Sequence, residues 1–291
     1  MSSNYKPAKK RSQFSEVWMR LKRNKMAMLG LAILIVLALL AIFAEQIAGY
    51  ETKVIAQDIS NRLQGPSAEH WFGTDEFGRD IFARIIHGSR VSLVVGFISV
   101  AVSLIIGGVL GAFAGYYGGV IDLVIMRVMD ILLAIPSILL AITIVAALGT
   151  DLVYVMIAIG ISGVPGYARI VRASVMGIKD QEFVEAARAI GASNASIIFR
   201  EVIPNCLAPI IVQATLSVAS AILSTASLSF IGLGVQPPDP EWGAMLSSGR
   251  GYLRDAMHLT LFPGLAIIVT ILALNLLGDG LRDALDPKLK Q

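Results

Sequence analysis

The chain has 291 residues, 55% of them hydrophobic and only 15% charged, with a mean hydropathy of +0.72 and a formal net charge of +3. So few charges exclude a water-soluble globule of this size and point to an integral membrane protein. A single cysteine, Cys206, excludes an internal disulfide and any multi-cysteine metal site, and three unclustered histidines, at 70, 87 and 258, argue against a metal centre.

Residues 1–25 read as a cytoplasmic basic tail carrying eight Lys or Arg, and 26–48 as a first transmembrane helix around the apolar run 26–44. About 20 helical residues cross a hydrocarbon core of ~30 Å. No small-residue cleavage site follows, so the helix is expected to stay uncleaved. Residues 49–90 form the longest external loop. Its second half joins a glycine-rich turn, WFGTDEFGRD from Trp71, to the amphipathic segment IFARIIHGSR, in which Phe82, Ile85 and Ile86 make an apolar face flanked by Arg79, Arg84 and Arg90. That pattern predicts a helix lying at the membrane interface, with Arg79 and Asp80 within pairing reach.

Further uncharged runs at 91–121, 131–150, 152–168, 202–238 and 256–278 each hold one span, which gives six transmembrane helices. The expected fold is an all-α integral membrane protein, with a five-helix core over 91–281 and a cytoplasmic C-terminal tail over 282–291. Pro136, Pro165, Pro209 and Pro263 fall inside or near the starts of spans three to six, where each removes a backbone donor and favours a kink. Arg127 and Asp130, three residues apart, are placed to pair on one helix face at the entry of the third span.

Lys and Arg residues settle the orientation. Seventeen lie on the side of the tail, the 118–130 region, the 169–205 segment and the C-terminus, against seven on the opposite side. The positive-inside rule therefore places both termini and the 169–205 segment in the cytoplasm.

Within that segment, 180–205 reads DQEFVEAARAIGASNASIIFREVIPN, a polar island in an apolar chain. Asp180 is suited to N-cap a helix, with Glu182 and Glu185 in turns that favour carboxylates. Phe183, Ala186, Ala187 and Ile190 fall on one apolar stripe. Gly191 stands where a left-handed glycine stops a helix. A second helical run from Ser193 uses Ile197, Ile198, Phe199 and Val202 as its apolar positions, until Pro204 ends it or opens the next helix. In the fifth span Gln213, Ser217, Ser220, Ser224 and Ser227, spaced 4, 3, 4 and 3, form one polar small-residue stripe. It either lets a neighbouring helix approach closely or lines a hydrated path, and both alternatives place this face inward.

No Gly-Lys dipeptide occurs, so there is no GxxxxGK[ST] phosphate loop; HExxH and GxSxG are absent as well. The acidic residues nearest the spans, Glu45, Asp122, Asp130, Asp151, Asp255 and Asp279, all sit close to predicted ends. No catalytic, cofactor-binding or metal-binding residue is expected, and no nucleic-acid contact. A channel or ion-coupled secondary transporter is the competing class, but it would want an ionisable residue at mid-membrane. A membrane scaffold would explain the spans but not the helix-bend-helix.

Glu185-Ala186-Ala187, then Gly191, then Pro204 resemble the EAA motif of the membrane subunits of ABC importers, with Glu201 and Ile203 departing from the usual Ile and Leu. Gly73-Thr74-Asp75 with Gly78-Arg79-Asp80, MRVMDILLAIPS from Met126, PPDPEWGAML from Pro237 and NLLGDGLRDALDP from Asn275 resemble the dipeptide and oligopeptide branch of those permeases. The resemblance implies a type I importer permease core in a prokaryotic plasma (inner) membrane. It also implies a heterodimer with a second homologous permease subunit, two cytoplasmic ATPases that use ATP and Mg, and an extracytoplasmic solute-binding protein. Phe183, Glu185, Ala186, Ala187, Ile190, Gly191 and Pro204, in a coupling loop over 173–206, would then take up the ATPase motion. The external 235–257 region would receive substrate, with Trp242 anchored at the interface. Peptides are the expected cargo; nickel chelates, glutathione or another small solute are the alternatives within the family.

Overall fold

The structure, a computed structural model, describes residues 13–285. Lys6, Lys9, Lys10 and Arg11 of the basic tail, and Lys288 and Lys290 at the other end, lie outside the described residues. Among the described residues the chain is helical apart from its loops, and one isolated Thr74–Asp80 bridge is the only extended pairing. Five helices are long and apolar enough to cross a membrane, and a bent pair supplies a sixth span.

A short helix, α1 (Gln13–Arg23), stops at Asn24, whose side chain accepts from the N–H groups of Met26 and Ala27 and so caps α2 (Lys25–Ile42). The long helix α3 (Ile81–Tyr117) starts from Asp80, whose Oδ1 accepts from the Ala83 N–H at 2.8 Å, and ends at Gly118 with φ +65. Its 37 residues outrun a bilayer core at ~1.5 Å per residue, so its first turns stand outside it. The predicted interfacial helix is therefore not a separate element. IFARIIHGSR forms those first turns, and Ile81, Ala83, Arg84, Ile86 and His87 are buried in protein.

The third span also departs from expectation. Helix begins at Gly119, well before the uncharged run, as α4 (Gly119–Leu133), and resumes as α5 (Ser137–Leu148) at an angle of 86°. Pro136 sits at the break, where its missing N–H and its ring prevent continuation. Three longer elements and two short ones complete the chain: α6 (Leu152–Met176), α7 (Glu182–Ala189), α8 (Leu207–Phe230), α9 (Trp242–Gly249) and α10 (His258–Leu285) follow in order, with short turns of helix over 194–205. Pro165 and Pro263 lie within α6 and α10.

The heart of the bundle is α3 on α6. Gly107, Gly111 and Gly115 recur every fourth residue along α3, and a side chain there has no room. A Cβ at 107 would stand 2.5 Å from the Val164 carbonyl oxygen, one at 115 would stand 2.8 Å from that of Arg172, and one at 111 would overlap the Ala168 backbone. Close backbone approach is joined by hydrogen bonds: Ser99 Oγ donates to Met156 O at 3.0 Å and Ser103 Oγ to Gly160 O at 2.6 Å. In hydrocarbon, such packing and bonding replace the hydrophobic drive that water supplies elsewhere. The first transmembrane helix docks the same way, with Gly30 of α2 set against Ala273 O of α10.

Two expected ion pairs are replaced by others. Asp130 binds Arg169 at 2.6 Å rather than Arg127, and Asp122 accepts from Arg172 Nε and Nη2 at 2.5 and 2.6 Å, so both pairs tie α4 to α6. Asp80 binds His70 Nδ1 at 2.9 Å because its other oxygen caps α3, while Arg79 turns to Asp75 at 2.7 Å. Arg84 approaches the same Asp75 at 3.6 Å and donates to Val54 O at 2.8 Å, which makes the external loop a folded cap. Trp242 is not an interfacial anchor either: it is fully buried, with Nε1 donating to Ile85 O at 3.0 Å.

Candidate coupling element and pathway face

The chain leaves α6 through a turn in which the Gln181 N–H bonds Ile178 O, so the first extended residue before α7 is Gln181 rather than Asp180. Gln181 uses its carbonyl, bonded by Val184 and Glu185, and no side-chain cap forms. At the far end Gly191 has φ +81, its N–H bonds Arg188 O, and the Ala192 N–H bonds Ala187 O. This pair of bonds is the Schellman closure, for which glycine is the least strained residue.

The predicted stripe of α7 does not pack as one face. Phe183 is 37% exposed, Ala186 is exposed and Ile190 is 85% exposed, while Ala187 alone of the four turns partly inward. The residue that anchors the helix is Val184, completely buried. It joins Ile197, Ile198, Val202, Cys206 and Ile210 against Ala112 and Tyr116 of α3 and Val171 and Val175 of α6. Tyr116 adds a hydroxyl bond to Asn194 Oδ1 at 3.0 Å. Glu185 is exposed beside Ala186, and Phe199, expected among the inward positions, is exposed too.

Residues 197–202 wind as a wider π-helical turn. Pro204, exposed in the short Ile203–Asn205 turn, has no N–H and would crowd the preceding turn of a regular helix, which the wider turn relieves. Asn205 Nδ2 donates to the Glu201 carbonyl at 2.6 Å. The element is thus a helix, a glycine stop and a second helix, fixed to α3 and α6 by one apolar cluster and continuous with α8.

Along α8 the buried residues are Ile210, Val218, Ala219, Ala221, Ile222, Thr225, Ala226, Leu228 and Ser229. The stripe lies on the opposite side: Ser220 and Ser227 are exposed, and Gln213, Ser217 and Ser224 are half-buried. Both sequence alternatives place it inward, but within this chain it faces away from the core, into which Val218, Ile222 and Leu228 pack instead. Its polar groups are partly satisfied along the helix itself, Gln213 Nε2 to Ser217 Oγ at 3.1 Å and Ser227 Oγ to Leu223 O at 2.8 Å. Among the described residues no group of three His, Cys, Asp or Glu is placed to hold a metal.

Two residue sets escaped the sequence reading. Val184 is outweighed on a short helix by four apolar neighbours. The glycines at 107, 111 and 115 announce themselves by their spacing of four in an apolar run, a signal of close helix approach.

Residues 107–291 match the family model described as binding-protein-dependent transport system inner membrane component, and residues 12–66 match the N-terminal TM domain of oligopeptide transport permease C. A dipeptide transport system permease protein, DppC, of Alkalihalophilus pseudofirmus is 53% identical over 96% of this chain and 91% of that relative. A glutathione transport system permease protein, GsiD, of Escherichia coli is 48% identical over 98% of this chain and 94% of its own length. Among solved structures, an inward-facing MetNI methionine ABC transporter chain superposes with a TM-score of 0.56 at 18% identity, covering 70% of this chain and 96% of that one. An amino acid ABC transporter chain gives 0.53 at 17% identity over 69% and 94%.

Proposed function

The chain belongs to the family of binding-protein-dependent transport system inner membrane components, multi-pass membrane permeases of ABC importers, and from that premise we propose that it forms half of a peptide translocation pathway driven by separate ATPases. Alternating access in such a device requires a rigid part that receives the ATPase motion and passes it to the pathway helices. One observation carries the reading: Phe183 and Ile190 stand exposed on a helix that Val184 and the cluster beneath it hold firmly against α3 and α6. Apolar side chains displayed on a well-anchored polar surface suit an interface with another protein.

On this reading Phe183, Glu185, Ala186 and Ile190 meet the ATPase, Ala187 and Gly191 shape the helix, and Pro204 relays the motion into α8. The face of α8 bearing Gln213, Ser217, Ser220, Ser224 and Ser227 meets the substrate path and the second permease subunit. The catalysis of ATP hydrolysis, with its Mg, belongs to two cytoplasmic ATPase subunits, and an extracytoplasmic binding protein delivers the solute to the external cap. Residues 1–25, 26–48 and 49–90 form an N-terminal addition to a permease core over 91–281.

Gly191→Pro and Glu185→Lys test the coupling role in the complex reconstituted with its ATPases and binding protein. Loss of substrate-stimulated ATP hydrolysis with normal membrane insertion is expected for both. Unchanged stimulation in both would remove the assigned role. Glutathione is the second cargo, favoured by the similarity to the glutathione permease. Uptake of labelled dipeptide that excess glutathione does not compete away decides for peptides.

A further inference from the structure

Helix α1 lies beside the coupling element, and the two leave a groove between them. Val17 and Leu21 pack α1 onto Leu281 and Ala284 near the end of α10. Its opposite side presents Trp18, 44% exposed, with Lys22 Nζ 5.0 Å over the ring. An aromatic ring beside cations, immediately before a span that begins at Lys25, marks the headgroup level of the cytoplasmic leaflet.

The groove measures about 700 Å³; Val17, Ile178, Phe183, Pro209 and Leu285 give it apolar walls, and Ser174, Gln181 and Asn205 line it with polar groups. Arg20 also lines it, half-buried, and among the described residues its side chain has neither an ion pair nor a hydrogen bond. Glu16, one turn earlier, lines the mouth but is exposed and forms no ion pair with it. A half-buried guanidinium with no partner among the described residues calls for an anion, and the apolar part of the lining calls for a hydrocarbon tail.

We propose that this groove holds one anionic phospholipid of the cytoplasmic leaflet, its phosphate on Arg20 and an acyl chain along Val17, Ile178 and Pro209. Lys22, Arg23 and Lys25, with no acid on α1 other than Glu16, add to the attraction. The lipid would bridge the N-terminal helix and the coupling element. The inference rests on the groove and the membrane orientation, so the coupling role of α7 stands or falls separately.

The test is native mass spectrometry of the full chain, alone and in complex with its ATPases, released from detergent carrying equimolar phosphatidylglycerol and phosphatidylcholine. The wild type should retain phosphatidylglycerol with about fivefold preference, as one well-placed cation near the surface supplies. Arg20→Gln should lose that preference, Arg20→Lys should keep most of it, and Arg254→Gln, on the external side, should match the wild type. Equal retention of the two lipids, an Arg20→Gln variant that selects as well as the wild type, or displacement of the lipid by glycerol phosphate alone would overturn the proposal. So would loss of the lipid from the wild type when the ATPases bind, which would assign the groove to a protein partner.

Discussion

Val184 and Ile190 share one short helix and have opposite fates, the first fully buried and the second 85% exposed. Val184→Ala removes two buried methyl groups and leaves a cavity, a cost of about 2 kcal/mol. Faster hydrogen exchange across 182–190 is its expected signature. Ile190→Ser should leave the stability of the isolated chain within about 0.5 kcal/mol and weaken co-purification with the ATPases. If Ile190→Ser destabilised the chain and Val184→Ala did not, the burial pattern would be wrong. On the external side, burial and the hydrogen bond from Tyr50 to Asp239, at 2.6 Å, push the Tyr50 phenol up to about 12. An acid with a raised folded pKa favours its neutral form. The stabilisation is therefore complete below the unfolded value of 10.0 and is lost as pH rises through about 12. Tyr50→Phe should abolish the alkaline destabilisation of the external cap between those limits, seen as protease sensitivity of residues 50–80. At this scale the sequence was only half legible. The glycine stop at 191 could be read from spacing, since positive φ selects for glycine. The inward residue of α7 could not, because two helical turns bearing five apolar side chains fit more than one face until the partner surface is known.

Elements are held by features that hydropathy does not weigh. The run of glycines along α3 counts as little more than neutral composition, yet it sets how closely α6 approaches. Gly111→Val should cost about 3 kcal/mol or prevent the packing altogether, because a Cβ there meets the Ala168 backbone, which cannot yield. Gly108→Ala is the matched control: its nearest neighbour would be Leu104 Cδ1 at 3.9 Å, and alanine is the better helix former. Thermal unfolding in detergent should therefore fall for Gly111→Val and hold or rise for Gly108→Ala. The number of spans was readable, since a continuous apolar run long enough to cross leaves few alternatives. The break in the third span was announced by Pro136, but its angle was not, since a proline fixes where a helix yields and the packing of α4 on α6 fixes how far. The burial of IFARIIHGSR was hidden for a related reason. Arg84 looks solvent-bound in the sequence until Asp75 and the Val54 carbonyl, brought in from earlier in the chain, satisfy it.

In the whole molecule the cluster beneath Val184 binds three things into one body: the coupling element, the cytoplasmic end of α3 and the cytoplasmic end of α6. The glycine contacts extend that body along α3 and α6, and the ion pairs Asp122–Arg172 and Asp130–Arg169 add α4 to it. A push on α7 is therefore expected to rotate these helices together rather than to slide α7 over them, because packed interiors pass on displacement instead of absorbing it. Cross-linking separates the two cases. Cys206 is the only cysteine, so Cys206→Ala gives a background for paired labels. Tyr116 and Asn194, whose side chains meet at 3.0 Å, are replaced by cysteines and joined with a short bifunctional thiol reagent. If they belong to one body, the link distinguishes no two states and substrate-stimulated ATP hydrolysis should stay within about twofold of the unlinked protein. A block on joining them, relieved when the linker is cleaved, would show that the coupling element moves against α3. The lever would then have to begin at the π-helical turn before Pro204, where the element runs into α8.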